Sequence, residues 1–282
     1  MSRTPRSPRA PRRIVLGAVV AAAALVALSA CSSATTTTTH GLETITAGKL
    51  TVATGQPAYS PWVIDNKPQS GQGFESAVAY AVAKKLGFSK DEVTWTRTGF
   101  DQAVAPGPKD FDFNLQQFSI TDQRKKAVDF SSPYYTTTQA VVAYKGTPVA
   151  SATSAADLKP YKIGVPAGTT SYDVLIKEVG GSPAVFNSED DAVQALKSKQ
   201  IDAIAVDLPA AFYITSAQLK NATIVGQFSD TDGGDDYGLV LAKNSPITKK
   251  VTAAVDALRE DGTLAALEKK WLSDSVNVPT FK

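Results

Sequence analysis

A chain of 282 residues, 43% hydrophobic, with 29 Lys+Arg against 27 Asp+Glu, is long enough for one large domain or two modest lobes. Arg3, Arg6, Arg9, Arg12 and Arg13 stand in the first thirteen residues with no acid among them; the remainder is mildly acidic and gives no electrostatic ground for a nucleic-acid partner. One cysteine and one histidine exclude an internal disulfide and a zinc–thiolate centre and weigh against histidine-dependent catalysis, so neither metal nor cofactor is expected.

In chain order, the basic leader is followed by Ile14 to Ala30, an uncharged Ala/Val/Leu stretch ending in small residues. This is the n-region, h-region and cleavage pattern of an export signal. Cys31 comes next, in Leu28-Ser29-Ala30-Cys31, which resembles the bacterial lipobox, where the thiol receives lipid and becomes the mature N-terminus. A membrane-spanning anchor is the competing reading, but the apolar run is at the short limit for spanning and its small residues favour cleavage. Residues 1–30 are therefore expected to be a lipoprotein signal peptide, and the chain extracytoplasmic, anchored to the bacterial cell membrane by lipid at Cys31. Arg12-Arg13 leaves Sec and Tat export both open. The polar run SSATTTTTHG, with His40, lacks apolar residues and reads as spacer, a flexible linker over 31–44.

From Lys49 onward, β-rich runs alternate with amphipathic stretches, the pattern of an α/β protein with mostly parallel sheets. Strands are predicted at Leu50 to Ala53, Val93 to Arg97 and Phe111 to Leu115, with a helix at Phe74 to Leu86 stopped by Gly87 and a short one at Thr121 to Ala127. After the β-forming run Gln139 to Tyr144 a second series begins, with strands at Ile163 to Val165 and Ala203 to Val206. Its helices start at Thr170, Ser188 and Leu208. A strand at Gly238 to Leu241 and helices at Ile247 to Arg259 and Thr263 to Trp271 close the chain. Two α/β units joined by β segments imply two lobes around a cleft, a preferred place for a small ligand.

Three features could carry chemistry. In Ser119-Ile120-Thr121-Asp122-Gln123-Arg124 a good N-cap opens a helix, and Arg124 has the planar fork that suits a carboxylate, although an Arg-Lys-Lys run can equally be a solvated basic face. Gly168-Thr169-Thr170 lies between a strand and a helix, where backbone amides and hydroxyls make an anion site or simply a capped turn. Asp207 ends a strand before Leu208-Pro209 and is either a ligand group or a routine N-cap. Tyr59, Trp62 and Phe100 are either cleft walls or core.

Order and spacing decide more than any one of these. The run FNLQQFSITDQRKKAVDFSSPYY, preceded by GFESAVAYAVAKKLG and followed by IGVPAGTTSYD, AIAVD and DYGLVLAKN, resembles the family 3 extracellular solute-binding proteins, from about Lys49 to Trp271. The resemblance implies a two-lobed periplasmic-binding-protein-like (type II) clamshell, each lobe a mixed, mostly parallel sheet flanked by helices, with two hinge segments. Lobe 1 would comprise 45–137 and 233–282, and lobe 2 138–232. It implies a monomeric amino-acid receptor for an ABC transporter permease. It further implies that Arg124 holds the ligand α-carboxylate with Ser119 and the backbone around Gln117 beside it. Thr169 and Thr170 would approach that carboxylate from the second lobe, Asp207 would take the α-ammonium, and Tyr59 and Phe100 would enclose the side chain. Gln56 stands where members selecting cationic amino acids have an acid, which argues against lysine or arginine.

A buried zwitterion needs both charges compensated, and groups on opposite lobes can do so together only when the cleft is shut. Three departures from the family pattern stand out: Ala77 in GFESA, where a second acid is common; Val104-Ala105-Pro106-Gly107-Pro108, which must break a helix and unsettles the placement of Phe100; and Gln116-Gln117 in place of small residues. The alternatives to a receptor are an enzyme on the same fold, such as a dehydratase, and a sensor-associated binding protein. An enzyme would need a general acid or base in the cleft.

Overall fold

The computed structural model describes residues 38, 40–229, 235–272 and 278–282. The signal peptide and Cys31 assignments, and the proposed lobe boundary at 232/233, lie outside them. Among the described residues no helix is long and apolar enough to cross a membrane.

The elements are, in order, β1 (Leu50–Thr54), α1 (Phe74–Lys85), β2 (Val93–Arg97), α2 (Phe100–Val104), β3 (Phe113–Asn114), α3 (Asp122–Lys125), β4 (Val128–Phe130), β5 (Tyr135–Thr137) and β6 (Gln139–Tyr144). There follow β7 (Ile163–Pro166), α4 (Thr170–Glu178), β8 (Ala184–Phe186), α5 (Glu189–Lys197), β9 (Ala203–Asp207), α6 (Leu208–Tyr213), β10 (Ala222–Gln227), β11 (Asp235–Tyr237), β12 (Val240–Ala242), α7 (Thr248–Glu260) and α8 (Thr263–Trp271).

They build two five-stranded mixed sheets, ordered β2-β1-β3-β12-β4 and β10-β6-β9-β7-β8. In the first, β1 runs parallel to β2 and β3, and β12 antiparallel to β3 and β4. In the second, β7 runs parallel to β8 and β9, and β6 antiparallel to β9 and β10. β1, Leu50-Thr51-Val52-Ala53-Thr54, is buried along its whole length between its two parallel neighbours β2 and β3, its threonines included. Phe74, Val78, Val82, Val251, Val255 and Leu258 from α1 and α7 cover one face of the first sheet, while Ala53, Ala103, Phe111, Phe118, Val128 and Val240 form a smaller cluster elsewhere in that lobe. The second sheet has its own two clusters, one with Ala192, Leu196 and Ala211 of α5 and α6, the other with Leu175 of α4. The architecture is the expected two-lobed clamshell.

Between β4 and β12 the chain passes between the sheets twice, leaving β4 for β6 through β5 and returning to β12 through β11. These two connecting strands pair with each other, Thr136 opposite Asp236 and Tyr135 opposite Tyr237.

Four expectations are corrected. The strand predicted at Phe111 to Leu115 is reduced to Phe113–Asn114, because the Asp112 carboxylate, not a ladder carbonyl, accepts the Thr51 N–H at 2.7 Å. The strand predicted at Gly238 to Leu241 begins at Val240. The spacer does not reach residue 44: Leu42 is 2% exposed in the first-lobe core, and the His40 ring stands edge-on to Phe88 at 4.7 Å. Residues 278–282, expected with the first lobe, run along β10 of the second sheet, where Gln227 pairs with Thr280 and Phe281 fills space over Gly226 and against Phe228.

Candidate functional site

A cavity of about 300 Å³ lies between the lobes, and its walls are the C-terminal ends of the parallel strands. From the first lobe come Thr54 to Tyr59 after β1, Thr98 to Phe100 after β2, and Gln116, Gln117, Ser119 and Arg124 after β3. From the second come Pro166, Ala167, Thr169 and Thr170 at and after the end of β7, Asn187 to Glu189 after β8, and Asp207 at the end of β9. All nine residues expected of a ligand site, Gln56, Tyr59, Phe100, Gln117, Ser119, Arg124, Thr169, Thr170 and Asp207, line this one cavity. Trp62 does not: it is core, ringed by Phe74, Tyr135 and Tyr237.

Thr121 caps α3 by accepting the Arg124 N–H at 3.2 Å. The helix lasts one turn and directs Arg124 back over the cleft, while Lys125 pairs with Asp122 in solvent. Arg124 Nη1 donates to the Ser119 carbonyl at 2.8 Å and Nη2 to the Gly168 carbonyl of the other lobe at 2.9 Å. Its guanidinium lies 5.3 Å from the centre of the Phe100 ring, which stacks on Phe118 at 4.6 Å. Helix α2 ends at Val104, so the Pro106-Gly107-Pro108 break falls beyond Phe100 and leaves it in the wall. Burial works against the Arg124 charge, and Asp235 and Asp207 work for it. A guanidinium offers five N–H donors, so several remain for an anion.

Asp207 occupies the N-cap position of α6, yet its side chain makes no capping bond. Gln139, its register partner on β6, donates Nε2 to Asp207 Oδ1 and, at 2.6 Å, to Asp235 Oδ2. Burial, with Asp235 close by, pushes the Asp207 carboxyl up to about 7. Thr170 Oγ1 donates to Asp235 Oδ2 at 2.6 Å and meets Ser119 Oγ from the other lobe at 3.3 Å. Thr169 turns its hydroxyl to the Pro166 carbonyl at 2.9 Å and makes no capping bond to α4, which leaves the first-turn amides of that helix without a side-chain cap.

Gln117, at φ 52°, is held from behind. Its N–H donates to Glu75 Oε1 at 2.8 Å and its side-chain amide to Glu75 Oε2, while the Tyr134 hydroxyl donates to Oε1. Glu75 is thereby fully enclosed, and burial raises its carboxyl to about 7. The expectation that the Gln117 backbone sits beside a ligand carboxylate is corrected in one respect, since its N–H already serves Glu75. Gln56 lies exposed at the cavity edge, and Tyr59 reaches across to donate its hydroxyl to Asp190 Oδ2 at 3.1 Å.

Sequence reasoning missed Gln139, Asp235 and Glu189. Gln139 stands in an apolar strand run and Asp235 in a loop-like stretch. Glu189 follows Ser188 as an ordinary first-turn acid, yet it lines the cavity, its Oε1 is buried without a hydrogen-bond partner, and burial beside Asp207 and Asp190 raises its carboxyl to about 8.

Comparison with known proteins gives a consistent picture. The family described as bacterial extracellular solute-binding proteins, family 3, matches residues 50–274. The chain is similar to the L-cystine-binding protein TcyJ of Escherichia coli K12, 32% identical over 222 residues that cover 77% of this chain and 80% of the relative. It is 29% identical to the L-arginine-binding protein of Pseudomonas aeruginosa over 244 residues, 83% of this chain and 92% of that protein. Among solved structures, an ancestral arginine-binding protein bound to arginine superposes with a TM-score of 0.66 at 33% identity, covering 79% of this chain and 98% of that one.

Proposed function

Because the chain belongs to the bacterial extracellular solute-binding proteins, family 3, we propose that it is a lipid-anchored extracytoplasmic receptor that binds a polar amino acid in the interlobe cleft and delivers it to an ABC importer. The observation that carries this reading is the pair of partly buried opposite charges, Arg124 from the first lobe and Asp207 from the second, on one cavity. The relatives described above, binding proteins for cystine and arginine, agree with an amino-acid ligand.

In this reading the free N–H groups of Arg124 take the α-carboxylate, assisted by Ser119 Oγ and the uncapped amides at Thr169 and Thr170. Asp207, its Oδ1 steadied by Gln139, takes the α-ammonium. Phe100 lies against the guanidinium, and Tyr59 and Gln56 bound the side chain. Since Arg124 already touches Gly168, Ser119 touches Thr170 and Tyr59 touches Asp190 across the cleft, a ligand between the lobes adds its own bonds to contacts that exist only in the closed arrangement. That differential contact favours closure, which the permease would read. Lipid at Cys31 would hold the clamshell beside the membrane on the segment preceding His40. The residues 45–137 with 233–272 would move as one lobe, and 138–232 with 278–282 as the other.

A thermal-shift screen of the purified protein against all the amino acids tests the receptor reading: a ligand at a hundred times its Kd stabilises by about 2.7 kcal/mol. No shift with any of them would overturn it. The anchor is tested separately by the membrane fractionation of Cys31→Ser, which should release the protein.

A further inference from the structure

Among the described residues, the charged side chains lining the cavity are Arg124, Asp207 and Glu189. An amino-acid backbone balances the first two and leaves Glu189 over. Glu189 is the first residue of α5, and an acid there is favoured by the helix dipole. Asp190 and Asp191 in the same turn satisfy that preference in solvent, whereas Glu189 is withdrawn into the cavity with a buried, unpartnered Oε1. Tyr59 closes over the same turn from the opposite lobe, tied to Asp190 at 3.1 Å and close enough to feel the charge of Glu189. An acid and an aromatic ring lining one cavity are groups that hold an organic cation. At the cavity edge on the first lobe, Gln56 is neutral, so the counter-charge for such a cation comes from the second lobe.

We propose that Glu189, with the Tyr59 ring, forms the side-chain subsite and selects an amino acid ending in a guanidinium or primary ammonium. This rests on the amino-acid reading above and runs against the expectation drawn from Gln56, that a neutral residue there argues against lysine or arginine. A buried carboxylate without a cation is costly, and Asp207, Asp190 and Tyr59 around it add negative charge or none, with Arg124 the cation on the cavity. The empty subsite therefore holds Glu189 protonated at neutral pH. An entering cation converts the carboxyl to carboxylate, and its proton leaves to solvent; a neutral ureido or amide side chain leaves it in place.

The test is calorimetry of the purified protein at pH 7 with arginine, citrulline and glutamine, in two buffers of different protonation enthalpy. Arginine should bind at least about tenfold more tightly than its neutral isostere citrulline and release about one proton more. Glu189→Gln, isosteric with the protonated acid, should fold with an unchanged circular dichroism spectrum, lower the arginine-to-citrulline ratio at least about tenfold and remove the additional proton. Asp191→Asn, which neutralises a charge in the same turn outside the cavity, should keep both. A ratio near one in the unmodified protein, a ratio unaffected by Glu189→Gln, or an equal fall in Asp191→Asn would overturn the assignment of Glu189 while leaving an amino-acid receptor. Failure of every amino acid to bind would overturn that reading and this one with it. The proton count of the unmodified protein decides the matter even if Glu189→Gln does not fold.

Discussion

Gln139 on β6 stands opposite Asp207 on β9, and its single side-chain nitrogen donates to Asp207 and Asp235 at once while its oxygen accepts from Ser171. One neutral amide thus bridges two partly buried acids and aims the one that faces the cavity. Gln139→Leu has nearly the same shape but leaves those partners unsatisfied. We expect a loss of about 1–3 kcal/mol in urea unfolding, with amino-acid affinity reduced in the same variant. Full affinity in Gln139→Leu would show that Asp207 needs no positioning.

Arg124→Ala should reduce amino-acid affinity at least about a hundredfold, which corresponds to about 2.7 kcal/mol, with little change in the unfolding midpoint. Arg124→Lys should recover only part of it, because a lysine keeps the charge but not the fork that spans Ser119, Gly168 and a carboxylate. Calorimetry on the two variants measures both effects, and equal affinities for the lysine variant and the unmodified protein would remove the bidentate role.

Stability should fall with rising pH. Asp207 and Glu75 are raised to about 7 and Glu189 to about 8, from ordinary values near 4, so between these limits the folded protein binds more protons than the unfolded chain. The slope of unfolding free energy with pH is then negative, and the unliganded protein should be more stable at pH 5 than at pH 8 in urea titrations. Binding has the opposite dependence, because an ammonium favours ionised Asp207: the affinity for an amino acid with a neutral side chain should rise through about pH 7 and then level, and that for a cationic one should go on rising to about pH 8 as Glu189 ionises. Affinity that falls between pH 5 and 7 would contradict an ammonium at Asp207.

Gly168 has φ of +72°, and a Cβ there would come within 2.4 Å of Asp101 Oδ1 on the facing lobe. Gly168→Ala should cost about 1–2 kcal/mol for the left-handed backbone and also hold the cleft open. Adding Asp101→Ala should restore ligand affinity but not stability, since it relieves the clash and not the strain. If the double variant binds no better than the single, closure is not limited by this contact.

The secondary structure was readable where pattern and function agree. Ser188 before an acidic turn, Thr121 before Asp122, and the apolar runs of β1, β6 and β9 report local propensity, and propensity acts over a few residues. The strand at Phe113–Asn114 was overestimated because a side chain, Asp112, replaces a ladder partner, and periodicity cannot distinguish the two. His40 and Leu42 read as spacer because two residues in a polar run carry no pattern; the burial of Leu42 in the first-lobe core and the contact of His40 with Phe88 come about only on folding.

By itself the sequence determined the alternation of two α/β series and the nine residues that now share one cavity, since each follows from spacing or a resemblance in order along the chain. What the tertiary structure alone decided is the state of those residues. It shows that Asp207 does not cap its helix, that Thr169 gives its hydroxyl to Pro166 while Thr170 gives its own to Asp235, and that Gln117 answers to Glu75. It also separates Glu189 from Asp190 and Asp191, three acids alike in sequence. Burial, and the facing lobe that imposes it, are properties of contacts between distant residues, and these set both the charge of a carboxyl group and the direction in which it points.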